Sequence, residues 1–74
     1  MSHLPQVSGK RVASALIKID YDLDRQKGSH IILRQIKPPH RRIVVTDHKE
    51  IAKGTLRYII REAVLIVEEF QKFI

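Results

Sequence analysis

The 74-residue sequence has no cysteine and no tryptophan. Without cysteine there is no disulfide, no thiolate nucleophile and no cysteine zinc site. Hydrophobic runs are short: the longest, Ala63 to Val67, is five residues, whereas a membrane-spanning helix needs about 20. The N-terminus lacks the apolar stretch of a secretory signal, so a cytoplasmic address with no membrane contact is expected. Glycine and proline number only three each. With aromatics at 5%, Tyr21 and Tyr58 make a thin platform for stacking on bases, and core packing is their expected role. Composition argues against wholesale disorder, since 43% of residues are hydrophobic and 30% charged, as in folded domains. At this length residues 1–74 form a single domain.

Negative charge is also scarce: fourteen Lys and Arg stand against eight Asp and Glu, a net of +6. The excess is local. Residues 25–61 hold ten basic groups and only two acidic ones, Asp47 and Glu50, while the flanks are mildly acidic. A basic middle predicts an anionic partner, most simply nucleic acid. The alternative is a solvated surface that only aids solubility.

Ser8 is placed to cap a helix of about 9–19, whose apolar stripe is Val12, Ala15, Leu16 and Ile19. From Tyr21 the period changes to that of a strand. Lys27-Gly28-Ser29 reads as a turn, with Gly28 free to take positive φ. If that loop has three residues, Leu23 faces Leu33 on the core side with Ile31. His30, Ile32 and Arg34 then point the other way, with Asp24 and Gln26. Lys37-Pro38-Pro39-His40 cannot continue a ladder and forms the second turn. Arg41 to Thr46 is a third strand with Ile43 and Val45 on one face, followed by a polar loop to Lys53. Gly54-Thr55 opens a last helical segment whose stripe runs through Leu56, Ile59, Ile60, Ala63, Val64, Val67, Phe70 and Ile74. Leu65, Ile66 and Phe73 fall outside it, so the helix either breaks near residue 64 or runs on with apolar groups left for a partner. The order α-β-β-β-α predicts an α+β domain, a three-stranded antiparallel sheet with helices on one face.

Two motifs then carry a resemblance. Arg25-Gln26-Lys27-Gly28-Ser29-His30 resembles the R-Q-x-G-S-H signature of HicA-type toxins, also described as YcfA-like mRNA interferases. His48-Lys49-Glu50-Ile51-Ala52-Lys53-Gly54-Thr55-Leu56-Arg57-Tyr58-Ile59-Ile60-Arg61 resembles that family's second motif. Leu4-Pro5 and Val7-Ser8-Gly9-Lys10 are similar to its opening. The resemblance implies an α-β-β-β-α fold similar to double-stranded-RNA-binding domains, cleavage of messenger RNA, an essential histidine matching His30, and a HicB-type antitoxin as partner. One departure stands out. Where such chains have A-G-L-[ST], this one has Ala63-Val64-Leu65-Ile66. Both the glycine terminator and the hydroxyl cap are missing, which favours a continuous helix and makes Leu65 and Ile66, with Phe73, candidates for self-association or antitoxin contact.

The chemistry that follows is economical, because RNA carries its own nucleophile. A base that removes the 2′-OH proton lets that oxygen attack the adjacent phosphorus, expelling the 5′-oxygen and leaving a 2′,3′-cyclic phosphate. No cofactor or metal is required; a proton acceptor, a proton donor and positive charge beside the phosphoryl oxygens are. Histidine suits both proton-transfer roles near neutral pH. His30 is therefore the expected catalytic residue, with Lys27 and Arg25 beside the phosphorane and Ser29 orienting the ring or the phosphate. The second proton-transfer group is open between His48, water and a lysine, and His48 equally fits a structural role in its loop. Arg34, Lys53, Gly54, Thr55, Arg57 and Arg61 are candidates for holding RNA phosphates. Gly54-Thr55 can also serve simply as a cap, and Arg57 and Arg61, one turn apart, can instead meet an acidic antitoxin surface. The histidines lack the short spacing of zinc ligands, so no metal site is expected. The alternative to a nuclease is a non-catalytic RNA-binding module using the same basic face.

Overall fold

The computed structural model of the protein describes Leu4 and residues 6–74; the lead-in residues Met1, Ser2, His3 and Pro5 lie outside the described residues. The elements are α1 (Gly9–Ile17), β1 (Tyr21–Lys27), β2 (His30–Gln35), β3 (Arg42–Thr46), α2 (Lys53–Glu62) and α3 (Val67–Gln71). The strands form one antiparallel sheet in the order β1-β2-β3. α1 packs across all three strands and α2 against β3. The shortest dimension, 17 Å, is the thickness of one sheet plus one helical layer. This is the α+β arrangement of double-stranded-RNA-binding domains.

Ser8 caps α1, its side chain accepting the Arg11 N–H at 3.2 Å. Val12, Ala15 and Leu16 are buried and Ile19 is half-buried. The helix stops at Ile17 rather than at 19, because the chain reverses into β1 through Asp20 at φ 70, a left-handed conformation that aspartate tolerates. Gly9 is itself buried, and its N–H donates to the His48 carbonyl at 2.8 Å. A Cβ at this position would collide with the Thr46 carbonyl oxygen, so only glycine lets the start of α1 lie against the end of β3.

The core joins α1, the inner sheet face and α2: Leu16, Leu33, Ile43, Val45, Leu56 and Ile59 are fully enclosed. Leu23 pairs with Leu33 as expected, yet it is half-exposed, since β1 is an edge strand and its side chain lies at the rim. The first hairpin differs from expectation by one residue, on the β1 side of the turn. Lys27 pairs with His30, leaving a two-residue turn, Gly28-Ser29, with Gly28 at φ 58. The extra residue is absorbed by an irregularity between Leu23 and Arg25, a bulge of the kind that re-aims side chains. Gln26 consequently lies opposite Ile31 on the helix-side face, not with His30, and Arg25 and Lys27 take its place on the open face.

The last helical segment is not continuous. α2 ends at Glu62, and Val64 sits at φ 58 with its N–H on the Arg61 carbonyl, while the Leu65 N–H reaches back to the Ile60 carbonyl at 3.1 Å. This is a Schellman termination with valine where glycine is normal, and a left-handed non-glycine residue costs about 1–2 kcal/mol. The physical reason is Phe70. A straight helix would carry it about 12 Å past Glu62 at 1.5 Å per residue, out of the molecule. The break folds α3 back and buries Phe70 completely, a gain of about 1.5–3 kcal/mol. Lys18 Nζ donates to the Phe73 carbonyl and ties the returning end to α1. Of the three residues expected to form an exposed contact surface, Leu65 and Phe73 pack against the core and only Ile66 stands out, 59% exposed.

Candidate functional site

The face of the sheet away from the helices is built by strand alternation. Lys27, His30 and Thr46 lie in register across the three strands, Arg25, Ile32 and Val44 form the next row, and Asp22, Arg34 and Arg42 the far one. Directly opposed residues have Cβ atoms about 4.5–5.5 Å apart, so the Lys27 ammonium and the His30 ring start as neighbours. Lys27 and His30 are exposed, and Thr46 is half-buried.

Charge is unevenly spread over this face. At the far end the cations are answered: Arg42 Nε meets Asp24 Oδ2 at 3.2 Å, and Arg34 stands across from Asp22. At the His30 end Arg25 and Lys27 meet no acidic partner on the face among the described residues. The surface there is a histidine next to two uncompensated cations, with Val44 and Ile32 forming an apolar strip between the two ends.

The His30 end is braced from below. The Asp47 N–H donates to the Ser29 carbonyl at 2.7 Å, prolonging the β2–β3 ladder to the turn. Gln26 Nε2 donates to both the Gly28 carbonyl and Asp47 Oδ2 at 3.3 Å. Gly9 then holds Thr46 and His48 through backbone contact. Ser29 is exposed in the turn beside His30. His48 lies in the loop two residues beyond Thr46, exposed, with its carbonyl engaged by Gly9.

The structure thus brings together Arg25, Lys27, Ser29 and His30. Arg34 is on the same face at the acid-answered end, whereas Lys53, Gly54, Thr55, Arg57 and Arg61 belong to α2, in the helical layer. Gly54 and Thr55 lie inside the first turn of α2; the N-cap is Ala52, without a side-chain hydrogen bond, so simple capping by this pair is corrected. Tyr21 is buried in the core and Tyr58 is exposed on α2. Sequence reasoning overlooked Thr46, Gln26, Asp47 and Gly9. Thr46 was recoverable by carrying the alternation of Ile43 and Val45 one residue further; Gln26 and Asp47 depend on a turn length that polar residues do not encode, and Gly9 on the meeting of α1 with β3. Among the described residues, no three His, Asp or Glu side chains group so as to hold a metal ion. No helix is long and apolar enough to cross a membrane, again among the described residues.

A thin helix-on-sheet domain whose open face concentrates cations around one histidine defines a class of small basic α+β proteins. A family model described as the HicA toxin of bacterial toxin-antitoxin matches residues 9–65. The chain belongs to the HicA toxin family, in which a toxin is paired with an antitoxin. A search of curated proteins returned no match.

Proposed function

We propose that the protein is a metal-independent endoribonuclease, the toxin of a type II pair, which cleaves messenger RNA by assisted attack of the ribose 2′-OH. His30 takes the 2′-OH proton, or delivers one to the departing 5′-oxygen. Lys27 and Arg25 stabilise the charge that accumulates on the phosphoryl oxygens, and Ser29 orients the ring or the phosphate. His48 is the side-chain candidate for the second proton transfer. The observation that carries this reading is the cross-strand pair Lys27–His30 on an exposed face with no acidic residue opposing it. Exposure gives an RNA backbone access to the ring, and an adjacent cation draws the phosphate to it. Messenger RNA as substrate entails a cytoplasmic site of action.

The test is to incubate purified protein with RNA in excess EDTA, beside His30→Ala. Cleavage that survives EDTA and drops about 10²–10⁴-fold in the variant is expected. Loss of activity on chelation, or full activity in His30→Ala, overturns the proposal. RNA that is bound in a salt-dependent way but left intact would instead favour the binding module.

A further inference from the structure

We propose that the groove between α2 and α3 receives an acidic amphipathic segment of the antitoxin. The inference rests on family membership and does not depend on the nuclease reading. The groove measures about 620 Å³, with Ile60 and Leu65 among its lining residues and Val64, Ile66, Arg57 and Arg61 on its exposed parts. Two of these residues are poor choices for their backbone positions. Val64 is 77% exposed in a left-handed conformation, where glycine would fit without strain. Ile66 is the N-cap of α3 and has no oxygen to offer the first turn; only Glu69 reaches back, its Oε1 accepting the Ile66 N–H at 3.1 Å. Neither side chain is enclosed by the protein itself, so the fold gains little from their apolar surface. A partner that covers them would.

Charge decides the occupant. Among the described residues Arg57 and Arg61 form no salt bridge, and Glu68 is the one carboxylate lining the groove. A second copy of a chain with net charge +6 would bring like charge to the rim. RNA would satisfy the arginines but leave the valine and isoleucine against water-loving phosphates. A protein segment bearing Asp or Glu beside Leu or Ile side chains satisfies both. The groove lies in the helical layer, across the sheet from His30, and is therefore a second surface for a partner rather than part of the nuclease face.

The experiment titrates the whole protein with its antitoxin by calorimetry, alongside Ile66→Thr, Val64→Gly and Arg57→Glu. Ile66→Thr and Val64→Gly are expected to raise Tm, because each improves the local backbone fit, and yet to weaken antitoxin binding about tenfold or more. Arg57→Glu should weaken binding with a reduced salt dependence. That opposition between higher Tm and lower affinity is not produced by a purely structural role. RNA cleavage by Ile66→Thr should equal that of the parent, so a failed nuclease assay and a failed groove are separate results. Parent-like antitoxin affinity in all three variants overturns the proposal. So does a dimer of the protein alone that Ile66→Thr dissociates, which would assign the groove to a second copy, or RNA affinity lost in Ile66→Thr, which would assign it to RNA.

Discussion

The two ends of the open sheet face are built from the same strands and carry similar numbers of cations, yet only one is electrostatically free. Around Arg34 and Arg42, Asp22 and Asp24 neutralise the field within the protein. Around His30, the side chains of Arg25 and Lys27 have no such answer. The difference comes from backbone geometry as much as from composition. The bulge at Asp24 shifts the phase of β1, placing Arg25 and Lys27 on the His30 face and turning Gln26 inward to brace the turn. A regular strand with a three-residue loop would have exchanged Lys27 and Arg25 for Gln26 there.

The largest break in the comparison should come from the brace under the His30 end. Gly9→Ala drives a methyl group into the Thr46 carbonyl, and overpacking against backbone costs about 3 kcal/mol. Urea unfolding should show that loss. Gly54→Ala is the matched control: its Cβ would meet nothing within 4 Å, and alanine in a helix is favoured by up to about 1 kcal/mol, so stability should hold or rise. Equal losses at both positions would refute the close approach as the cause.

Next in size is the contrast between the ends themselves. Lys27→Ala removes the uncompensated cation opposite His30 and should slow RNA cleavage about ten- to a hundredfold. Arg34→Ala removes a cation that Asp22 already faces, and about a twofold effect is expected under the same conditions. Single-turnover rates with saturating protein separate this from weakened binding. Equal effects would mean that the face acts as one uniform basic surface.

Much of the scaffold was legible because it is encoded locally. The Ser8 cap, the α1 stripe, the glycine turn and the proline turn each follow from a few neighbouring residues with one physical preference. The β1 phase was not legible: Asp24-Arg25-Gln26-Lys27 contains no apolar residue to fix which side faces the core, so nothing in that run distinguishes a longer loop from a bulge. The break at Val64 was one of two open alternatives in the sequence, and continuation was the favoured one for a different reason. Valine and isoleucine argue for continuation there, and the burial of Phe70 overrides them from six residues away. His30 stood out through the motif around it, while its bracing by Gly9 and Asp47 arises only when α1 and β3 meet.

A smaller effect concerns pH and the inner side of the far end. Burial pushes the Tyr21 phenol up from its ordinary 10.0, with Arg41 opposing and Glu62 adding to the rise. The folded protein therefore holds this proton more tightly than the unfolded chain. The associated stability is fully present below pH 10.0 and is lost as pH climbs through the raised value. Tyr21→Phe should flatten that alkaline decline in Tm. A decline of undiminished steepness in the variant would place its origin elsewhere.

The smallest effect is the most specific. Asp24→Asn frees Arg42 from its 3.2 Å partner without altering side-chain size. Both members of the pair are at least partly exposed, so stability should change by less than about 1 kcal/mol. The released cation should raise RNA affinity about two- to threefold at low salt, an increment that disappears when the Debye length falls to about 3 Å at 1 M. Cleavage at saturating protein should stay at the parent rate, because Arg42 lies two residue rows from His30. If the rate rose along with affinity, the far end would be contributing to the chemical step, and the division of the face into a reactive end and a neutralised end would fail.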